Sequence, residues 1–209
     1  MLCFGDSNTF GHIAGSGMRY DISRRWPKIL AKRLGDSYYI IEEGLKSRTI
    51  ISDDPRPGKE GRSGHNYLLP CLDSHDPLDL VIVMLGTNEL KVIYNKTAEE
   101  IGIMLEQKII KPILTRKFEN APNPKVLILA PPKVDGKLAS KKFANKYDET
   151  ATEKSAKLEK IYNNIAQRNG CHFLSALNLG VGDDGVHLTE ESHKELSDRV
   201  YDKIKEIFK

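Results

Sequence analysis

Cysteine is scarce in this chain and badly placed for pairing. Cys3, Cys71 and Cys171 are the only three, an odd and widely separated set with no Cys-x-x-Cys pair. That excludes a disulfide framework and fits a reducing compartment. Long apolar runs are missing too: nothing approaches the roughly 20 residues that a membrane-spanning helix needs. The first apolar run is broken by Gly5 and Asp6 almost at once, which is not the pattern of a secretory leader. The expectation is a cytoplasmic protein that does not engage a membrane. Charge of one sign is absent as well. The 32 basic and 29 acidic residues leave a net +3, and no basic stripe suggests a nucleic-acid partner. The cluster Lys137, Lys141, Lys142 and Lys146 reads as a solvated loop face. Tryptophan occurs once, as Trp26 at helical spacing, which reads as a packing residue. No repeat, low-complexity tract or second composition regime divides residues 1–209, so a single domain is expected.

What is present is an alternation. Short apolar runs stand at Leu2–Phe4, Tyr38–Ile41, Leu80–Leu85, Val126–Ala130 and, more weakly, Cys171–Leu174. The third and fourth are continuous rather than alternating, the pattern of strands buried on both faces. Between the runs lie helical patterns. Trp26, Ile29, Leu30 and Leu34 share a face. Thr97 to Glu100 fits a capping box. Leu158, Ile161, Tyr162 and Ile165 follow the i, i+3, i+4, i+7 spacing, and Thr189 opens a last amphipathic stretch. This predicts an α/β fold, three layers in α/β/α order around a flavodoxin-like parallel sheet of about five strands. Two stretches, 52–64 and 132–147, have no clean period and read as long loops of the kind that form lids or interfaces.

In such a sheet, ligands bind beyond the carboxyl ends of the strands. Reading only those ends leaves four short blocks: Gly5-Asp6-Ser7-Asn8, Gly44 to Thr49, Gly86-Thr87-Asn88-Glu89 and Asp183 to His187. A serine hydroxyl needs a base beside it to attack a carbonyl, and a histidine base needs a carboxylate to hold its tautomer. Asp184 and His187 lie three residues apart in one loop and can serve Ser7 together. The developing oxyanion needs donors already aimed at it. Asn88 offers a side-chain amide, and the backbone N–H groups of Ser7 and Ser47 are natural additions. The set supports acyl transfer without a metal or cofactor. His12, close to Ser7, and Lys46, beside Ser47, are candidate pocket residues. Arg48 reads as an exposed charge, His193 as a solvated residue of the last helix, and His65, His75 and His172 as histidines without a paired carboxylate.

The blocks GDSN, EEGLKSRT, GTNE and DGVH, in this order and spacing, resemble those of the SGNH hydrolases, also called the GDSL esterases. The resemblance covers almost the whole chain. It is closest to the aryl-esterase/acyltransferase branch, through LCFGDSNTFG, Arg25-Trp26, IIEEGLKSRT and PLDLVIVMLGTNELK. It implies Ser7 as nucleophile, His187 as base, Asp184 as its orienting partner, and Ser7, Ser47 and Asn88 as oxyanion donors. It also implies a small-molecule ester substrate with a short acyl chain, acyl transfer to alcohols beside hydrolysis, and a homo-oligomer, with an octamer as one form. Three positions depart from the pattern: Ser47 where many members carry glycine, Glu89 for the usual aspartate, and Asn8 for the leucine of the family name.

The same residues would serve a carbohydrate O-deacetylase, a thioesterase or a lysophospholipase. An aspartyl phosphatase of the haloacid dehalogenase type requires a second aspartate after the first, and Asp6-Ser7-Asn8-Thr9 has none. A scaffold with a decayed site would lack one member of the set; Ser7, Asn88, Asp184 and His187 are all present.

Overall fold

The computed structural model describes residues 1–118 and 122–209. Among them five strands form one fully parallel sheet: β1 (Leu2–Gly5), β2 (Ile41–Gly44), β3 (Leu80–Met84), β4 (Lys125–Ala130) and β5 (His172–Ser175). Their spatial order is β2-β1-β3-β4-β5, with Leu2 level with Ile41 on one side and Val81 on the other. The apolar run of β3 divides its side chains between two cores. Val81 and Val83 face one, and Leu80, Ile82 and Met84 the other. In β4, Ile128 and Leu129 divide in the same way. A strand buried on both faces needs no polar alternation, which is why these two runs are continuous.

Among the described residues eight α-helices cover the faces: α1 (Ser7–Phe10), α2 (Trp26–Leu34), α3 (Gly64–Ser74), α4 (Ala98–Leu105), α5 (Lys111–Thr115), α6 (Gly136–Lys142), α7 (Thr150–Arg168) and α8 (Glu190–Ile207). One core joins the sheet to α2 and α8 through Trp26, Leu30, Leu196, Val200 and Ile204. The other joins it to α3, α4 and α7 through Leu68, Leu72, Ile101, Leu158 and Tyr162. The capping box at Thr97 forms in both directions with Glu100, and Thr189 caps α8 by accepting from the Ser192 amide. Among the described residues no helix is long and apolar enough to cross a membrane.

Two expectations are corrected. The second strand is Ile41-Glu42-Glu43-Gly44, not the tyrosine run before it. Tyr39 is 79% exposed, and β2 is an edge strand whose charged residues are held by ion pairs, Glu42 by Arg25 at 2.6 Å and Glu43 by Arg48 at 3.9 Å. Edge strands tolerate such composition because only one side is paired. The stretch 52–64 is irregular, as expected, up to Gly64, where α3 begins, a helix whose interior Pro70 and weak period hid it. The stretch 132–147 contains α6, capped by Asp135 accepting from Leu138 N and too short to show a period.

At the carboxyl end of β3 the chain turns at Gly86, φ +117°, against α7. The Tyr162 hydroxyl donates to Leu85 O at 3.0 Å, and a Cβ on Gly86 would overlap that hydroxyl. Glycine is required here for both conformation and space. Gly86→Ala should therefore cost about 2 kcal/mol or more in urea unfolding, while Gly170→Ala, also at positive φ but with open space around it, should cost about 1 kcal/mol. Equal losses would show that the approach to Tyr162 is not the constraint.

Candidate active site

The switch in strand order falls between β1 and β3, where the chain leaves the sheet in opposite directions and opens a crevice. Ser7 follows β1 and Asn88 follows β3, so the two flank it. Asp6 caps α1 by accepting from Asn8 N at 2.9 Å. Ser7 is then the first residue of a helical turn, and its amide has no acceptor within that turn. Asn8 points away from the crevice. Its amide donates to Val186 O at 3.3 Å and its carbonyl accepts from Leu188 N at 2.9 Å. One side chain thus bonds both neighbours of His187, a tie across 180 residues that the spacing of the motifs did not reveal.

His187 Nδ1 lies 2.7 Å from Asp184 Oδ2, and Nε2 lies 2.9 Å from Ser7 Oγ. With the carboxylate accepting at Nδ1, the proton sits there and Nε2 is left to accept from the serine hydroxyl. Asp184 is buried, which alone would raise its pKa. The His187 ring and the amides of Val186 and His187 outweigh burial and hold the carboxyl well below its usual range. Gly15 N also donates to it, at 3.1 Å. His12 packs its ring 4.2 Å from that of His187. Burial, aided by His187, pushes His12 down to about 4, so it stays neutral beside the His187 ring.

Ser47 adopts φ +65°, the left-handed region that favours glycine, with its Cβ retained. The turn is closed by Arg48 N donating to Leu45 O at 3.0 Å, and Asn88 Nδ2 donates to Arg48 O at 2.9 Å. An amide nitrogen carries two hydrogens, so one remains for the crevice. The Ser47 amide has no internal acceptor among the described residues. Ser7, Ser47 and Asn88 thus bring three such donors, two backbone amides and one side-chain amide, to the lining of one cavity. Their cavity measures about 220 Å³. His12, Lys46, Phe143 and Tyr147 also line it. Both long loops supply wall residues, the first through Arg56 and Lys59, the second through Lys146 and Tyr147.

Other sequence expectations differ from what is seen. Arg48 is buried, not exposed. Its guanidinium donates to Gly5 O at 3.1 Å and to Glu43 O, and lies 4.3 Å from the Phe4 ring centre. It braces the ends of β1 and β2. His193 is fully buried, accepts from Trp26 N at 3.3 Å through Nδ1 and stands edge-on to Tyr20. Burial pushes it down to about 4, so it joins α8 to α2 as a neutral ring. His75 does have a carboxylate, Glu43, at 3.4 Å. His12, Asp184 and His187 bring their ligand atoms within 4.8 Å of one another, as do Glu43, Cys71 and His75. In the first group, the bonds from Asp184 to His187 and from His187 to Ser7 already engage the donors a cation would need.

Glu89 does not hold Asn88. Its carboxylate accepts from the Ile50 amide, and burial raises its pKa from 4.5 to about 7. A carboxyl harder to ionise folded than unfolded contributes stability fully below 4.5, and that contribution is lost as pH rises through about 7. Glu89→Gln keeps an acceptor for Ile50 and removes the charge. It should raise unfolding free energy at pH 8 by on the order of 2–3 kcal/mol and change it little near pH 4.5. A pH-independent effect in urea titrations would place the ionisation elsewhere.

Comparison with known proteins bears on this geometry. The GDSL-like lipase/acylhydrolase family profile matches residues 3–195. No curated protein sequence matches the chain. A carbohydrate acetylesterase from Sinorhizobium meliloti is 37% identical in structural alignment, with 99% of this chain and 98% of that one covered and a TM-score of 0.86. The native aryl esterase of M. smegmatis is 33% identical, with 98% and 97% covered and a TM-score of 0.88. A second carbohydrate acetylesterase family member from Sinorhizobium meliloti is 30% identical, with 98% and 96% covered and a TM-score of 0.86. On the family match and this likeness along its length, the chain belongs to the GDSL-like lipase/acylhydrolase family, the SGNH hydrolases.

Proposed function

We propose that this protein is a serine esterase that removes short acyl groups, acetyl first, through an acyl-enzyme. The observation that carries the reading is the continuous hydrogen-bond line from Asp184 through His187 to Ser7, at 2.7 and 2.9 Å, beside three unengaged donors. Ser7 Oγ attacks the ester carbonyl carbon while His187 Nε2 takes the hydroxyl proton. Asp184 stabilises the resulting imidazolium. The carbonyl oxygen becomes an oxyanion facing Ser7 N, Ser47 N and the free Asn88 N–H, where fixed donors stabilise charge as it develops. The tetrahedral adduct collapses, the C–O bond to the alcohol breaks, and His187 returns the proton to the leaving oxygen. Water then attacks acyl-Ser7, gives its proton to His187, and the acid departs as Ser7 regains the proton. An alcohol in the place of that water would receive the acyl group instead.

The small cavity supports a short acyl chain over the long chains of a lysophospholipase. The likeness to both aryl and carbohydrate acetylesterases supports acetyl esters. The carbohydrate likeness also favours a second reading, O-deacetylation of a sugar by the same residues. Acetylated sugars hydrolysed faster than aryl acetates of equal chemical reactivity would select it.

Ser7→Ala should lower p-nitrophenyl acetate hydrolysis by about 10⁴-fold or more, with chelator present throughout. The wild-type rate should fall from acetate to butyrate to octanoate. A Ser7→Ala enzyme near wild-type rate would remove the nucleophile assignment. Asn8→Ala should lower kcat by about 10- to 100-fold with KM changed little, because it loosens His187 without touching substrate. A change confined to KM would mean that Asn8 does not act through His187.

A further inference from the structure

The wall of the cavity beyond Ser7 is built from cations. Lys46, Arg56, Lys59, Lys91 and Lys146 line it, and no carboxylate is among the lining residues. Two of the five are engaged elsewhere. The Arg56 guanidinium is paired with Asp54, whose Oδ1 accepts from Nε at 2.7 Å. Lys46 Nζ donates to Gly17 O at 3.2 Å. Lys59, Lys91 and Lys146 make no ion pair or side-chain hydrogen bond among the described residues.

Lys91 is the most telling of the three. It is only 7% exposed, on the turn directly after Glu89 and Leu90. Burial first, and then repulsion from Arg56, push its ammonium down to about 8; Asp54, Glu89 and Asp6 pull the other way from beyond ion-pair distance. A nearly buried ammonium without a partner is costly, and proteins otherwise pair such groups. Here the open side of the charge is the cavity.

Arg56, Lys91 and Lys146 also line an adjoining cavity of about 350 Å³, whose other walls include Val92, Ile93 and Tyr94. The cations therefore stand between the chamber of the nucleophile and a second, more apolar one. Val92 and Ile93 are 48% and 62% exposed, open to a ligand that reaches past the cationic wall.

Resting on the esterase reading above, we infer that the substrate is an ester bearing an anionic group, such as a carboxylate, sulfate or phosphate, that lies against Lys91 and Lys146 while the scissile carbonyl lies at Ser7. The remainder of the molecule extends toward Val92 and Ile93. The charge belongs either to the alcohol part or to the acyl part, and two matched pairs of esters distinguish these.

The first pair is 4-acetoxybenzoate and 4-acetoxybenzamide, charged and neutral on the alcohol side. The second is the phenyl monoester of succinic acid and that of succinamic acid, charged and neutral on the acyl side. Each kcat/KM is normalised to the hydroxide-catalysed rate. The expected result is a preference of about tenfold or more for the anion in one pair at low salt, shrinking as ionic strength rises to about 0.5 M. Lys91→Gln and Lys146→Gln should each cut that preference about threefold or more, and Lys91→Arg should keep most of it. Lys146 is exposed, so its variant tests the idea even if Lys91→Gln folds poorly. Equal rates within both pairs, or a preference unmoved in both glutamine variants, would overturn the inference. Loss of charged and neutral esters alike would also overturn it, because the cations would then serve the oxyanion rather than the substrate. Calorimetric binding of 4-acetoxybenzoate and 4-acetoxybenzamide to Ser7→Ala protein reads the site without turnover. Tighter binding of the benzoate would support the anion site even if Ser7 proved not to be the nucleophile. Ser7-dependent turnover without anion preference would leave the esterase reading standing alone.

Discussion

Two hydrogen bonds from the Asn8 side chain hold together the parts of this molecule that have to meet. Ser7 lies at the start of the chain and His187 near its end, and no strand or helix connects them. Asn8 accepts from Leu188 N and donates to Val186 O, so the loop that carries the histidine is tied to the helical turn that carries the serine. Asp184 completes the arrangement from within the loop, bonded to two of its amides, to the His187 ring and to Gly15 N. The sheet places the other donors: Gly5 and Gly44 end neighbouring strands in register, and β3 delivers Asn88 on the other side of the crevice. The polar chemistry gathers at one edge because both faces of the sheet are consumed by packing.

Much of this was legible in the residues. The continuous apolar runs identified β3 and β4, since burial on both faces removes alternation. The capping residues Thr97 and Thr189 marked two helix starts because side-chain caps are local chemistry. The four blocks at strand ends named the residues that the structure brings together at the crevice. What stayed hidden was non-local or weakly periodic. The edge strand β2 has a charged middle, and the tyrosines before it carry more apolar character than the strand itself. The short helix α6 is too brief for a period, and Pro70 obscures α3. Arg48 and His193 differ from expectation for a shared reason: each is a polar side chain buried by partners far away in sequence, Phe4 and Gly5 for one, Trp26 and Tyr20 for the other. Burial of that kind has no signature in the flanking residues.

Ser47 shows how a departure from the family pattern is absorbed. A side chain at φ +65° is disfavoured, yet the backbone amide needed there is unaffected by the side chain. The hydroxyl it adds lies 3.4 Å from an Arg56 nitrogen and so joins the Ser47 turn to the loop carrying the cationic wall. Glu89 is a second departure absorbed by reach. The longer acid extends past Asn88 to the Ile50 amide, and Asn88 takes its fixed position from the Arg48 carbonyl instead. The donors thus remain in place although both neighbours of the usual pattern have changed.

The separation of Ser7 and His187 has a consequence for the life of the molecule. The hydroxyl of Ser7 and the imidazole of His187 are 180 residues apart, so the second is synthesised long after the first. The loop of His187 is held at its far end by α8, which packs on α2, with His193 receiving the Trp26 amide. A chain cut short within α8 would lose the packing on α2 that holds this loop. On the proposed mechanism, reactivity therefore reports that the two distant parts of the site have folded against each other.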